Sequence, residues 1–121
     1  MDAIGIITTI LATLVALEFV YIFVLETVRT DSEATARTFG METEVLREPH
    51  MAVSMKNQGV YNLGIAILLL VAVFGLHSVG MTAALLAYIV FVAAYGAATV
   101  SRDIILKQGG LAILALARLL L

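Results

Sequence analysis

"NQGVYNLGIAILLLVAVFGL", residues 57–76, decides the fold class. Six residues rich in hydrogen-bonding side chains open it, and fourteen almost wholly apolar residues follow. A helix of roughly 20 mostly apolar residues, rising 1.5 Å per residue, crosses the hydrocarbon of a bilayer. The stretch therefore reads as a membrane span with a polar opening, and the rest of the chain must be read in that solvent.

Working outward, the whole chain has the same character. Of its 121 residues, 62% are hydrophobic and 13% charged, and the mean hydropathy is +1.07. Soluble domains are about 45–50% apolar and about 25% charged. A core of this size could not hide the excess. The expected fold is all-α: a single domain, 1–121, built as a membrane-spanning bundle of four helices with the lipid bilayer as solvent. Apolar runs at 3–25, 57–76, 79–101 and 104–121 place those helices at 3–28, 49–76, 79–102 and 104–121. The last is the weakest, because Lys107, Gln108 and Arg118 shorten its apolar part. A spanning helix, with Lys107 and Arg118 reaching opposite interfaces, is preferred there to a half-inserted or interface-lying segment. The first run lacks a basic start and an A-x-A-like site, so it is expected to stay in the mature protein.

Net charge is −2 and there is no basic block, which argues against nucleic acid as a partner. Cysteine is absent, which removes disulfides and thiolate metal sites. His50 and His77 lie near opposite ends of one helix, and no HExxH, CxxC, P-loop or nucleophile motif occurs. No catalytic residue, cofactor or metal is therefore expected.

Orientation follows from the basic residues. The first connection holds Arg29, Arg37, Arg47 and, at its edge, Lys56; the third holds Arg102 and Lys107. Four spans put those two connections on one side, against Arg118 alone on the other. The positive-inside bias then makes both termini external and connections 29–48 and 102–107 cytoplasmic, in the cell membrane. Within the first connection, "TDSEATARTFG" (residues 30–40) predicts a short amphipathic helix. Thr30 and Glu33 have capping-box spacing, Gly40 is a stop, and Phe39 can pin the segment to the membrane surface. Pro49 suits the first turn of the second span, with Glu48 extended before it.

Polar residues fall in stripes. At 100° per residue, Glu18, Tyr21, Leu25 and Arg29 share a sector of the first helix, with Glu26 to one side. Asn57, Tyr61 and Gly64 align on the second, widened by Gln58 and Asn62. Tyr88, Tyr95, Thr99 and Arg102 align on the third. Glu18 falls near mid-membrane, where an ionisable group is costly and marks function by default. The expected site is a polar cleft open to the cytoplasm, with Glu18 near its floor. Its ligand-binding residues are Glu18, Tyr21, Asn57, Gln58, Tyr61, Asn62, Tyr95, Thr99 and Arg102. Interhelical hydrogen bonding is the competing use of the amides and hydroxyls, and Arg102 also suits a helix-end cation. The small-residue run "AAYGAA" (93–98) predicts close packing and a homodimer.

"ALEFVYIFVLE" (16–26), "KNQGVYN" (56–62) and "YGAATVSRDIILKQG" (95–109) resemble, in this order, the small membrane proteins of the domain of unknown function 1304 family. The likeness covers nearly the whole chain. It implies about four helices and an integral membrane location, and no established activity. The family's first motif has His after the glutamate; Phe19 stands here, which weakens a Glu–His pair as metal ligand or proton path. Three functions are left open. The leading one is binding, with or without transport, of a small amphipathic or lipid-like molecule. The others are an enzyme on a lipid or quinone-like substrate, with Glu18 as acid/base, and an accessory subunit of another membrane protein.

Overall fold

The computed structural model describes residues 3–99 and 103–121, the side chains of residues 103–108 excepted. Helix α1 (Ile6–Phe23) continues into a π turn at Val24–Val28, followed by α2 (Glu33–Phe39) and α3 (Thr43–Arg47). Helix α4 (Pro49–Leu70) ends in a second π turn at Val71–Gly75, followed by α5 (Val79–Thr99) and α6 (Asp103–Leu120). No strand occurs among the described residues. Three helical segments, Ile6–Val28, Pro49–Gly75 and Val79–Thr99, are long and apolar enough to cross a membrane, the mark of a multi-pass membrane protein. Among the residues of α6 whose side chains are described, Gly109–Leu120 form a shorter apolar helix. The three long segments bury only 33%, 28% and 22% of their apolar windows inside the protein. Most of that surface is left for lipid or for other chains.

The chain divides into two compact units, Leu17–Ala66 and a second made of residues up to Ala16 with Ile67–Leu121. In the first, α1 and α4 run antiparallel. Thr27 Oγ1 donates to the Lys56 carbonyl at 2.8 Å, and Asn62 Nδ2 donates to Glu26 Oε1 at 2.6 Å, so numbers fall along one helix as they rise along the other. Phe19, Ile22, Leu25, Leu46, Met55 and Ala66 are its buried apolar residues.

The end of α1 shows why the connection folds as it does. A helix end leaves carbonyls without N–H partners. The π turn closes with Arg29 N–H donating to Val24 O at 2.8 Å. Thr30 Oγ1 donates to Glu26 O at 2.7 Å. The buried Thr35 hydroxyl, carried by α2, lies 2.9 Å from Leu25 O and 2.7 Å from Arg29 O. Helix α2 is thereby tied to the end of α1 by hydrogen bonds as well as by packing. The capping-box reading of Thr30 needs correction: Ser32 is the N-cap, its Oγ accepting from Thr35 N–H at 3.2 Å. The reason is that the π turn carries α1 to Val28, which leaves Thr30 within reach of the carbonyl four residues back. Gly40 ends α2 in the left-handed region, φ 65°. Glu48 precedes Pro49 at ψ 130°, and its carboxylate accepts from His50 N–H and Met51 N–H at 3.1 and 2.9 Å, capping α4.

In the second unit α5 buries Thr82, Leu86, Ile89 and Ala93, spaced four, three and four apart on one face. Helix α6 buries Gly109, Ala112 and Ala115 at intervals of three. The two pack closely along one another, as small residues allow where backbones must approach in an apolar solvent. The turn before α5 is closed by backbone: Leu76 N–H to Val71 O at 2.8 Å and Ser78 N–H to Ala72 O at 2.9 Å. His77 takes φ 48° there, and Ser78 Oγ accepts from Met81 N–H at 3.0 Å to start α5.

Candidate functional site

The polar opening of α4 has one face turned to α1. A Cβ on buried Gly59 would collide with Thr27 Oγ1 and stand 3.1 Å from both Glu26 Cβ and Thr27 Cβ. Only a hydrogen fits at that crossing, which explains the glycine inside "NQGVYN". One helical turn deeper, Asn62 meets Glu26, whose residue surface is 1% exposed. A carboxyl enclosed this far needs a donor, and the Asn62 amide supplies it.

The remaining site residues of the same unit are differently placed. Asn57 and Gln58 are exposed, and Tyr61 is 78% exposed, so they face away from α1. Tyr21 is 57% exposed, although Leu25, one turn further along α1, is buried. Glu18 is half-buried. Its Oε1 is fully enclosed and has no hydrogen-bond partner among the described residues, a condition it shares only with Thr82 Oγ1 of the other unit. Of the α5 residues, Tyr95 is 70% exposed, and Thr99 Oγ1 donates to its carbonyl at 2.8 Å. Arg102 lies outside the described residues. Among the described residues no group of three His, Asp or Glu side chains is placed to hold a metal.

The structure thus brings Asn62 and Gly59 to α1 and leaves Asn57, Gln58 and Tyr61 on outward faces. Two residues that matter here were not among the expected site residues. Glu26 is the carboxyl that α4 receives, and Thr35 is the hydroxyl that closes α1. A signal for the first existed in retrospect: Gly59 and Asn62, three residues apart, form a small-plus-donor face suited to a polar neighbour. Thr35 carried none, because threonine in a short surface helix is ordinary.

Chemically, Glu26 is a supported carboxyl held between two helices. Glu18 holds an enclosed acceptor with no donor among the described residues, able to take a hydrogen bond or a cation.

The family model described as "Protein of unknown function (DUF1304)" matches residues 13–120. The chain is 48% identical over 112 residues to "Uncharacterized protein YpaA" of Lactococcus lactis subsp. lactis (strain IL1403), covering 92% of this chain and 94% of that protein. No solved structure matches. The extent of both matches, across nearly all of the helical chain, makes this protein a member of the DUF1304 family.

Proposed function

We propose that this protein binds, and by doing so can move, a small amphipathic molecule at a polar site open to the cytoplasm, with Glu18 as the group that meets it. The observation that carries this reading is the enclosed Glu18 oxygen without a hydrogen-bond partner among the described residues. Leaving such an acceptor unmade costs on the order of 1–3 kcal/mol, a cost that a ligand's donor or cation offsets. Tyr21, three residues along α1 from Glu18 and exposed, supplies a further hydrogen-bonding group. In this reading α6 is the fourth span of the bundle and α2 lies as an amphipathic helix on the cytoplasmic surface. Both termini are outside, as the six basic residues on the connecting side require.

Native mass spectrometry of the protein in mild detergent tests it, comparing wild type with two variants. Glu18→Gln should keep its thermal stability and lose the co-purifying molecule. Glu26→Leu should lower the unfolding midpoint, because the Asn62 amide then loses its acceptor. A Glu18→Gln protein with unchanged stability and an unchanged ligand complement would reduce Glu18 to a structural residue.

A second reading has its own support. Polar side chains on an outward face of a span, Tyr61 above all, also suit contact with another protein chain. A homodimer through the small residues of α5 is the simplest version. Gly96→Leu should then weaken self-association in bilayers, and a wild type that stays monomeric there excludes it.

A further inference from the structure

A notch of about 210 Å³ lies in the first unit where α1 ends and α4 begins. Val28, Leu46 and Ala52 form its apolar part, and Asp31, Arg47 and Lys56 its polar part. Arg47 gives Nε to Asp31 Oδ2 at 3.2 Å, which orients the guanidinium and still leaves two NH₂ groups on it. The Lys56 backbone is held by the Thr27 hydroxyl at 2.8 Å, while its side chain is exposed. Two cations against one carboxylate give the notch a net single positive charge. It also lies where two apolar spans meet their polar ends, the level at which lipid headgroups sit.

We propose that this notch binds the phosphate of an anionic phospholipid, Arg47 and Lys56 donating to its oxygens. A guanidinium fork matches phosphate oxygens, and a lysine adds a point charge. The apolar wall formed by Val28, Leu46 and Ala52 favours a lipid over free phosphate, because acyl chains can continue down the apolar surface of the spans. Charge selects the lipid: phosphatidylcholine carries its own ammonium and gains less from a cationic notch than phosphatidylglycerol does. The site is separate from Glu18, so Glu18→Gln should leave lipid retention unchanged.

The test is native mass spectrometry of protein released from nanodiscs made of equal parts phosphatidylcholine and phosphatidylglycerol. The wild type should retain phosphatidylglycerol preferentially. Arg47→Gln and Lys56→Gln should each lower that preference roughly fivefold, the usual weight of one cation at an anionic surface. Arg37→Gln, on α2 and paired with Glu33 at 3.9 Å, should lower it little. Should Arg47→Gln fail to fold once Asp31 loses its partner, Lys56→Gln, which breaks no ion pair among the described residues, carries the comparison alone. Equal retention of the two lipids overturns the proposal. An Arg37→Gln loss as large as that of Lys56→Gln also overturns it, since the effect would then be diffuse charge. Displacement of the lipid by millimolar inorganic phosphate, with the same dependence on Lys56, would assign the notch to the free anion instead.

Discussion

The π turn at Val24–Val28 and the π turn at Val71–Gly75 close in the same way, with one backbone N–H reaching five residues back at 2.8 Å. Their surroundings differ. The first is followed by a long connection whose Thr30 and Thr35 hydroxyls serve the carbonyls the wide turn leaves over, and it buries a carboxyl, Glu26. The second is followed by three residues, closes with backbone alone, and buries only Ala72 and Val73. A helix end in an apolar protein can keep its carbonyls served and carry an acid where a connection brings hydroxyls and a packed helix brings an amide, as Asn62 does for Glu26. A tight hairpin brings none, and here it places His77 in the left-handed region instead.

The largest effect should come from filling the polar junction. Gly59→Leu puts a side chain into Thr27 and Glu26, and overpacking of this kind costs about 3 kcal/mol. The unfolding midpoint in detergent should fall sharply. Gly64→Ala, with nothing within 4 Å of its Cβ, should raise it slightly, by up to about 1 kcal/mol. Equal losses in the two variants would remove the crossing at Gly59 as the reason for its glycine.

Next in size is the hydroxyl that ties α2 to α1. Thr35→Val keeps the shape and leaves a buried carbonyl without its donor, at about 1–3 kcal/mol. Hydrogen exchange should quicken at residues 24–30 while residues 71–78 keep their protection. Uniform quickening at both turns would erase the distinction drawn between them.

The smallest effect belongs to the second turn. His77→Gly relieves a left-handed backbone, φ 48°, and should stabilise the protein by about 0.5–1 kcal/mol, less than the intrinsic penalty because glycine also loosens the unfolded chain. A lowered midpoint would mean that the imidazole contributes more than its backbone costs.

The spans were legible because crossing a bilayer is close to a one-dimensional property. It sums transfer preferences over some 20 residues whatever their neighbours. The stretches 3–25, 57–76 and 79–101 could therefore be read one at a time, and Gly40 and Pro49 could be placed from backbone chemistry alone.

Which face of a span meets protein was another matter. Lipid is as apolar as a protein core, so a span that is apolar all round does not mark its packing face by hydrophobic period. Glu18, Tyr21 and Leu25 share a sector on paper, yet Leu25 is buried and Tyr21 is 57% exposed. The pairing of Glu26 with Asn62, 36 residues on, depends on the register of two antiparallel helices. That register is set where Gly59 lets them touch and where Thr27 reaches the Lys56 carbonyl. Composition along the chain determined that these helices suit a membrane and roughly where each begins. Only contact between helices decided that, among the described residues, Glu26 receives a donor while an oxygen of Glu18 does not, since a hydrogen bond needs its two partners within about 3 Å and no property of either residue alone brings them there.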